Sequence, residues 1–363
     1  MNEEKIERVL KTLNHERPDR VPITEWFWDE FVQRWKTEKG LDEDTDIYEY
    51  YDLDLKIISP NMDPRIESCQ ILEETSEYII FRSGFGCSVK KDYSSPLPQF
   101  FDFPIHSPEE YRNFIFENPN DKRRYKDERR DIVSGDGFTT QCSFLEDVEK
   151  NRDKSCIFGS ICDPCEVLWR IRGYEGTLMD VALKPEMVKN IVERAADFMI
   201  EIGKNEVKKG KFPGLWIWGD IASDKGMLLS PKSYREIFFP SLKRICRVLK
   251  KEGIKLVYHS DGDMRAILPL LIEAGIDAID PMQVRAGMNM IELSKKYGKQ
   301  LAFVGNINIY GSKEEIKKEV LMKLKAVREG GWIGSSSESV GGDVSVENYE
   351  CFVQVVRKYG RMT

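Results

Sequence analysis

Residues 255–281, KLVYHSDGDMRAILPLLIEAGIDAIDP, contain one complete strand–helix–strand unit. The apolar run within 255–262 predicts a strand, residues 263–274 predict a helix, and residues 278–281 predict the next strand. Two strands joined by a helix lie parallel in one sheet, with the helix covering a face of that sheet. This stretch therefore indicates an α/β protein built on parallel strands.

The same alternation recurs from residue 154 onward. Further helices are predicted at 165–171, 186–208, 230–251, 289–297, 313–328 and 345–359, with Ser230 and Pro231 opening the helix at 230. The predicted parallel strands are 21–28, 156–161, 215–221, 255–260, 278–281, 301–307 and 331–337. One more strand from the first half would complete a (β/α)8 TIM barrel, which we expect. A doubly wound open sheet is the alternative, weakened because the sequence has neither a GxGxxG nor a GxxxxGK[ST] element.

The first half of the chain is less regular. The predicted elements there are a helix at 3–14, a strand at 20–28 leading into a helix at 29–37, strands at 53–59 and within 78–92, and a helix at 108–133. Gly84 and Gly86 predict a hairpin within 78–92. We expect a single domain over 1–363, with 1–150 as an N-terminal elaboration holding the first strands and 151–363 as regular β/α units.

The composition excludes several classes of protein. Of 363 residues, 41% are hydrophobic, which is too apolar for a disordered tail. The net charge of -7 argues against a nucleic-acid-binding protein, which needs a basic face. No run reaches the ~18 consecutive apolar residues of a membrane helix, and the charged N-terminus is unlike a signal peptide. We therefore expect a soluble cytoplasmic protein that binds neither nucleic acid nor membrane.

Polar or ionisable side chains follow nearly every predicted strand. In a barrel of this kind the carboxyl ends of the strands form the active-site face. The residues at these ends include Glu25, Trp26, Trp28, Cys162, Trp218, Asp220, His259, Asp261, Asp280, Asn306 and Glu338. Asp and Asn are also common there as helix caps, so each residue alone fits either role. Together they predict a site at this face.

His259 and Asp261 form the most specific pattern in this set. Residues i and i+2 of a strand point to the same side, so both side chains can face the mouth of the barrel. An imidazole and a carboxylate that converge there suit a divalent metal ion. The alternative is that Asp261 caps the following helix and His259 is a hydrogen-bonded core residue.

Cys162 and Cys165 form a CxxC pair at the start of a predicted helix. Structural zinc wants four ligands, and the sequence has no second CxxC. Redox use is disfavoured because Asp163 and Glu166 would raise the pKa of the thiols. Packing or lining of a substrate pocket is the favoured interpretation, with metal binding as a third one.

Several segments of the chain resemble sequences of the uroporphyrinogen decarboxylase superfamily. They are LNHERPDRVPI (13–23), SPKSYREIFFPSLKRI (230–245), YHSDGDM (258–264), LIEAGIDAIDPMQ (271–283), FVGNINI (303–309), GGWIGSSSESV (330–340) and VSVENY (344–349). The likeness covers nearly the whole chain and is densest over 213–349. It is closer to the branch that contains corrinoid-dependent methyltransferases than to the haem-pathway decarboxylases. The resemblance implies a (β/α)8 barrel, in agreement with the predicted elements.

The two branches differ in an N-terminal segment. The decarboxylases carry Arg-Gln-Ala-Gly-Arg, whose arginines bind the carboxylates of the substrate, whereas the corresponding stretch here is ITEWFW at 23–28. A site for a polycarboxylate cannot present Glu25 and tryptophans where it needs cations. The comparison therefore argues against porphyrinogen decarboxylation.

The methyltransferase branch binds zinc through a His-x-Cys pattern and a cysteine in the last strand. The resemblance maps these positions onto His259, Asp261 and Glu338, so the histidine is kept and carboxylates replace both thiolates. All three side chains can bind a divalent metal, with zinc as the first choice. Carboxylates suit the polarisation of an oxygen leaving group better than the activation of a thiol.

The resemblance implies demethylation of a small donor, an aromatic methyl ether among the candidates, with Co(I) of a corrinoid as acceptor. The corrinoid would arrive on a separate protein, because no histidine lies in an Asp-x-His-x-x-Gly pattern. Asp220 and Asn306 would orient ligand or leaving group, and Tyr310 would donate to the departing oxygen. The side chains predicted to bind substrate are Glu25, Trp26, Trp28, Cys162 and Trp218; for the tryptophans, core packing is the alternative.

Two other functions stay open. A metal-free decarboxylase would use Asp220 or Asp54 as its acid and would tolerate Glu338→Gln. A non-catalytic corrinoid- or tetrapyrrole-handling protein would bind its ligand without turnover. The oligomeric state is open as well, a homodimer included.

Overall fold

The structure is a computed structural model that describes residues 2–67, 69–93, 97–128, 142–327 and 330–362. The strands are β1 Leu55–Ile57, β2 Gln70–Glu74, β3 Tyr78–Arg82, β4 Ser88–Asp92, β5 Gln99–Phe101, β6 Cys156–Cys162, β7 Gly214–Trp218, β8 Ala222–Ser223, β9 Gly226–Met227, β10 Lys255–His259, β11 Ala278–Asp280, β12 Ala302–Val304 and β13 Trp332–Ile333. Seven of them form a parallel sheet in the order β1-β6-β7-β10-β11-β12-β13. The strand β1 is the one that the first half was expected to supply.

The segment at 21–28 closes this sheet into a barrel. Ile23 forms a parallel bridge with Gly334, directly after β13. On its other side, the carbonyl of Ile23 accepts a hydrogen bond from the Asp54 N–H at 2.7 Å, and the Thr24 hydroxyl donates to the Leu55 carbonyl at 2.9 Å. The segment thus lies between the last strand and β1 as the eighth parallel stave. The predicted (β/α)8 barrel is confirmed.

Helices follow the barrel strands and cover the outside of the ring. The helices are α1 Glu3–Leu13, α2 Asp29–Lys39, α3 Ile47–Tyr50, α4 Arg123–Lys126, α5 Phe144–Asn151, α6 Pro164–Arg172, α7 Tyr174–Leu183, α8 Pro185–Gly210, α9 Pro231–Ile237, α10 Phe239–Leu249, α11 Leu268–Ala274, α12 Met290–Tyr297, α13 Lys313–Ala326 and α14 Val346–Tyr359. Ser230 caps α9 as predicted, since its hydroxyl accepts from the Ser233 N–H at 3.0 Å. The single helix expected over 230–251 is two, because Pro240 has no N–H to continue the ladder.

Helix α1 plugs the amino end of the barrel. Its apolar residues Val9 and Leu13 belong to the same buried cluster as inward-facing strand residues such as Phe158, Trp216 and Val257. Alternate residues of a strand point to one side, so this cluster fills the barrel interior. The amino end of the barrel is therefore packed with apolar side chains.

The N-terminal elaboration contains a four-stranded antiparallel sheet in the order β2-β3-β4-β5. The hairpin of β3 and β4 was predicted, whereas β2 and β5 were not. The helix predicted over 108–133 is wrong for the part that is described: a 3-10 helix covers Pro108–Asn113, and α4 is short. Pro119 explains the difference, because the residue before a proline is disfavoured in helical conformation. Residues 129–133 of that prediction lie outside the described residues.

None of the helices in the described ranges combines the length and apolar content needed to cross a bilayer.

Candidate active site

A row of four register-paired residues crosses the carboxyl end of the barrel. Cys162 pairs with Trp218, Trp218 with His259, and His259 with Asp280, across β6, β7, β10 and β11. Each is the last residue of its strand. The structure thus brings three of the predicted site residues to one edge, where TIM barrels carry their chemistry, and adds Asp280 to them.

His259 has a carboxylate near each of its ring nitrogens. Its Nδ1 lies 2.5 Å from Asp280 Oδ2, and its Nε2 lies 3.7 Å from Asp220 Oδ1. Burial lowers the pKa of His259, but the hydrogen bond and charge of Asp280 and the charges of Asp220 and Asp261 raise it to about 9. The ring orientation is therefore fixed through Nδ1, while Nε2 faces the neighbouring carboxylates.

Further carboxylates surround this histidine. Asp220 Oδ1 accepts the backbone N–H of Asp261 at 3.1 Å, which joins the ends of β7 and β10. Burial raises the pKa of both Asp220 and Asp261, while the charge of His259 opposes the rise. Glu338 adds to the repulsion at Asp261 and pairs with Arg285, whose Nε lies 3.1 Å from its carboxylate. The predicted metal-binding residues thus lie in one electrostatically coupled cluster.

The donor chemistry of this cluster fits a divalent cation. An imidazole and several carboxylates are the ligands that zinc and harder metals take. Among the residues that the structure describes, however, no three His, Cys, Asp or Glu side chains form a ready-made metal site. Glu338 would have to exchange Arg285 for the cation, so the three-ligand site remains a prediction.

One predicted tryptophan, Trp218, packs on the histidine, and a second, Trp26, packs on Trp218. Trp26 and Trp218 pack edge to face with ring centroids 5.3 Å apart, and the Trp218 ring lies 4.8 Å from that of His259. Trp28 contacts a different group, with Lys91 Nζ 5.4 Å above its ring. Trp26 and Trp218 therefore offer an apolar wall beside His259.

Glu25 is buried, and its carboxylate holds the barrel closed. It accepts hydrogen bonds from the Ser335 hydroxyl at 3.0 Å, from the Ser336 hydroxyl at 2.8 Å, and from the backbone N–H groups of Ser336 and Trp26. Burial raises the pKa of Glu25 to about 7, although these donors lower it. Its contacts link the eighth stave, at 21–28, to the segment that leads to Glu338; its contact with substrate stays a prediction.

Glu25 makes a testable contribution to the pH dependence of stability. Its native pKa of about 7 exceeds its ordinary value of 4.5, so the folded state binds more protons between these values. Stability should fall as pH rises through this window and stay lower above it, by roughly 3 kcal/mol for a shift of this size. We expect urea unfolding between pH 4.5 and 8 to show a much weaker fall in Glu25→Gln.

The matched control for this measurement is Glu236→Gln, at an exposed glutamate whose side chain is 57% accessible. That variant should keep the wild-type profile, because the exposed Glu236 side chain makes no buried contact that unfolding would remove. A wild-type profile in Glu25→Gln would contradict the assignment.

Asn306 and Tyr310 occupy different environments. The Asn306 side chain is 2% exposed, and its amide donates to the carbonyls of Met282 and Met288 and accepts from Met290 N–H. This amide organises the loop after β11. Tyr310 is 47% exposed, with its hydroxyl 3.5 Å from Asp343 Oδ1. Burial of its hydroxyl and the charges of Asp343 and Glu338 raise its pKa to about 12, so this hydroxyl is protonated at neutral pH.

The CxxC pair is buried. Cys162 Sγ lies 3.7 Å from Met62 Sδ, and neither cysteine is exposed. Burial and the charges of Asp163 and Glu166 raise the pKa of Cys165 well above its ordinary range. A reactive thiol needs the opposite shift, so packing remains the favoured interpretation over redox use.

Asp54 lies at the wrong end of the barrel to act as an acid in this site. It precedes β1, is not exposed, and accepts hydrogen bonds from Arg8, Arg20 and the Ile23 N–H. Amino ends of the strands lie opposite the active-site face. Its role is structural.

Two residues of the cluster were not among the predicted site residues. Asp280 was noted only as a strand end, although its position after an apolar run is the same signal that selected His259. Arg285 carries no local motif, and only the loop after β11 brings it to Glu338.

Comparisons with known proteins agree with this architecture. A methyltransferase from Methanosarcina mazei has a similar structure, with a TM-score of 0.68, 17% identity and 98% of each chain covered. At that identity the likeness shows the fold. A putative vitamin-B12 independent methionine synthase from Listeria monocytogenes matches more weakly, at a TM-score of 0.37 and 16% identity over 61% of this chain and 69% of its own. No curated protein matches the chain.

The sequence model of one family matches most of the chain. It is described as uroporphyrinogen decarboxylase (URO-D), and the match extends over residues 85–359. This range includes every barrel strand from β6 onward and all the residues of the carboxylate cluster. The chain belongs to the uroporphyrinogen decarboxylase (URO-D) family.

Proposed function

We propose that this protein is a methyltransferase that moves a methyl group from a small donor to the Co(I) corrinoid of a separate protein. A divalent cation, zinc as the first choice, would be held by His259, Asp261 and Glu338. The observation that carries the proposal is the arrangement of His259, whose Nδ1 is bound to Asp280 while Nε2 faces the mouth carboxylates. Metal-binding histidines have this arrangement, with a carboxylate fixing the ring through the other nitrogen.

A cation bound in this cluster would supply Lewis acidity toward an oxygen leaving group. The chain's own residues would do the rest of the work. Trp26 and Trp218 offer an apolar wall that can position an aromatic ring. Asp220, beside His259, would orient the donor, and the Tyr310 hydroxyl would give its proton to the departing oxygen. An aromatic methyl ether matches these features.

The charges of the cluster disfavour a polycarboxylate substrate. Among the described residues, His259 and Arg285 are cations that contact it, and each is already paired with a carboxylate of the chain. A substrate with several carboxylates would add negative charge beside Asp220, Asp261 and Glu338 without new cations to meet it. We therefore favour methyl transfer over porphyrinogen decarboxylation within this family.

The proposal is tested by methyl transfer to cob(I)alamin, followed by its change in absorbance, with 2-methoxyphenol as donor. We expect zinc-dependent turnover that Glu338→Gln reduces, because a neutral amide is a poorer ligand than a carboxylate. A metal-free decarboxylase would tolerate this substitution. Zinc-independent turnover, or tight binding of donor or corrinoid without turnover at any metal content, would overturn the proposal.

A further inference from the structure

Helix α6 contacts the backbone of Asp220 through one face. Glu166, Trp169 and Arg170 lie three and four residues apart, so their side chains share that face. The Trp169 Nε1–H donates to the Asp220 carbonyl at 2.8 Å. Burial raises the pKa of Glu166, while the charge of Arg170 and the nearby backbone of Asp220 oppose the rise. Helix α6 therefore holds the Asp220 backbone through its carbonyl group.

Glu166 and Arg170 form a buried ion pair behind this contact. Arg170 Nε lies 2.7 Å from Glu166 Oε1, and the two residues are 9% and 5% exposed. Burying two charges costs several kcal/mol of desolvation, so such a pair is weak support for stability. Arg170 Nη1 and Glu166 Oε2 also lack hydrogen-bond partners among the described residues, which adds to the cost. The pair therefore calls for a role other than stability.

Aromatic side chains of the antiparallel sheet and its hairpin pack against Arg170 of this ion pair. The Arg170 guanidinium lies 4.9 Å from the ring of Phe100 in β5 and 5.6 Å from that of Phe85, between β3 and β4. Stacking on two aromatic rings fixes a planar guanidinium in place. The aromatic rings of the N-terminal elaboration thus fix Arg170, and Arg170 pairs with Glu166 one turn earlier on α6. The same helix holds Asp220 through the Trp169 hydrogen bond.

The contacts of α6 can control the position of Asp220. It follows Gly219, where a Cβ would lie 2.6 Å from the Tyr258 hydroxyl, so the chain turns there in a space that only glycine fits. Its carboxylate must reach both Nε2 of His259 and the N–H of Asp261. A small rotation of its backbone would break either contact.

We propose that Glu166, Trp169 and Arg170 are positioning residues that hold the Asp220 carboxylate against His259, with the antiparallel sheet as their support. What Asp220 then does to a donor rests on the proposed function; its placement does not.

The test reads the surroundings of His259 without an activity assay. The chain has three histidines, so selective ¹⁵N labelling gives few imidazole signals, and His259→Gln assigns the relevant one. We compare its chemical shift at fixed pH in wild type, Asp220→Asn, Trp169→Phe and the double variant Glu166→Gln/Arg170→Met. Both α6 variants should move the His259 signal in the direction of Asp220→Asn, with the other two histidine signals unchanged.

Combination with Asp220→Asn separates positioning from a general structural effect. If α6 acts through Asp220, either α6 change added to Asp220→Asn should leave the His259 signal where Asp220→Asn alone puts it, because coupled sites are not additive. The matched control is Glu319→Gln/Lys323→Met, which removes an i,i+4 ion pair on α13 with a buried lysine and should leave His259 unaffected.

An unmoved His259 signal in folded α6 variants, or a shift that adds fully to that of Asp220→Asn, would overturn the positioning role. Trp169→Phe keeps the proposal testable if the charge variant does not fold, because it removes the indole N–H but keeps an aromatic ring beside Tyr174, on which Trp169 stacks at 4.6 Å. If the His259 signal moves as expected but the protein transfers no methyl group, the result counts against the proposed function and leaves the positioning role intact.

Discussion

Replacing His259 by alanine should abolish binding of the divalent cation. His259 supplies the one nitrogen of the proposed ligand set, and its Nδ1 contact with Asp280 at 2.5 Å orients the ring before any ligand binds. We expect zinc affinity to fall by more than about 100-fold, since loss of a ligand exceeds the 10–100-fold typical of losing its support. Zinc titration by calorimetry, beside metal content of protein purified without chelator, measures the change.

The matched control is His106→Ala. His106 is exposed and lies before the 3-10 helix Pro108–Asn113, so its loss should leave zinc affinity as in wild type. Asp280→Asn tests the support separately and should lower affinity by about 10–100-fold while keeping every proposed ligand. Equal zinc content in wild type and His259→Ala would refute the metal site, whatever the fate of the methyl donor.

The barrel was predictable because its strands are apolar runs at regular intervals. Residues 255–281 alone contain β10, α11 and β11, and the parallel register follows from the connecting helix. The eighth stave at 21–28 was found from its apolar residues, although only isolated bridges pair it in the structure. Its pairing depends on the Asp54 N–H and on Gly334, which no local pattern marks.

The antiparallel sheet was only half predictable. The strands β3 and β4 flank two glycines and alternate in the usual way, whereas β2 has every residue exposed and so shows no buried face. A strand without an apolar face has no periodic signal, and β5 is only three residues long. Their place beside α6 depends on tertiary contacts such as Arg170 with Phe100.

The site residues were also only partly predictable from the sequence. His259, Asp220 and Trp218 come directly at or after strand ends, so the fold itself brings them together. Glu25 was selected from its place at a strand end, and the structure adds the Ser335 and Ser336 donors to its carboxylate, which lie about 310 positions away. Partners so distant in sequence leave no local pattern, and the same holds for Arg285 with Glu338.

Removing the Asp54 carboxylate should destabilise the protein by about 3–5 kcal/mol, the usual cost of breaking a buried ion pair. Asp54 is not exposed and accepts from Arg8 Nη1 at 2.8 Å, from Arg20 Nη1 at 2.7 Å and from the Ile23 N–H at 2.8 Å. In Asp54→Ala, the Arg8 guanidinium loses its buried partner, and the eighth stave loses the hydrogen bond from the Ile23 N–H that helps to join it to the start of β1. Urea unfolding measures the loss.

Asp52→Ala is the matched control for this substitution. Asp52 is a neighbouring carboxylate that shares Arg20 with Asp54 and also contacts Arg357, yet its side chain is 65% exposed, so its loss should cost about 0–1 kcal/mol. A comparable loss of stability in both variants would show that the net charge near these arginines matters and that the buried contacts of Asp54 do not. Because Asp54 lies at the amino end, the folded fraction of Asp54→Ala should bind zinc as tightly as wild type. Weakened zinc binding in that folded fraction would mean that closure of the ring at its amino end also sets the geometry around His259.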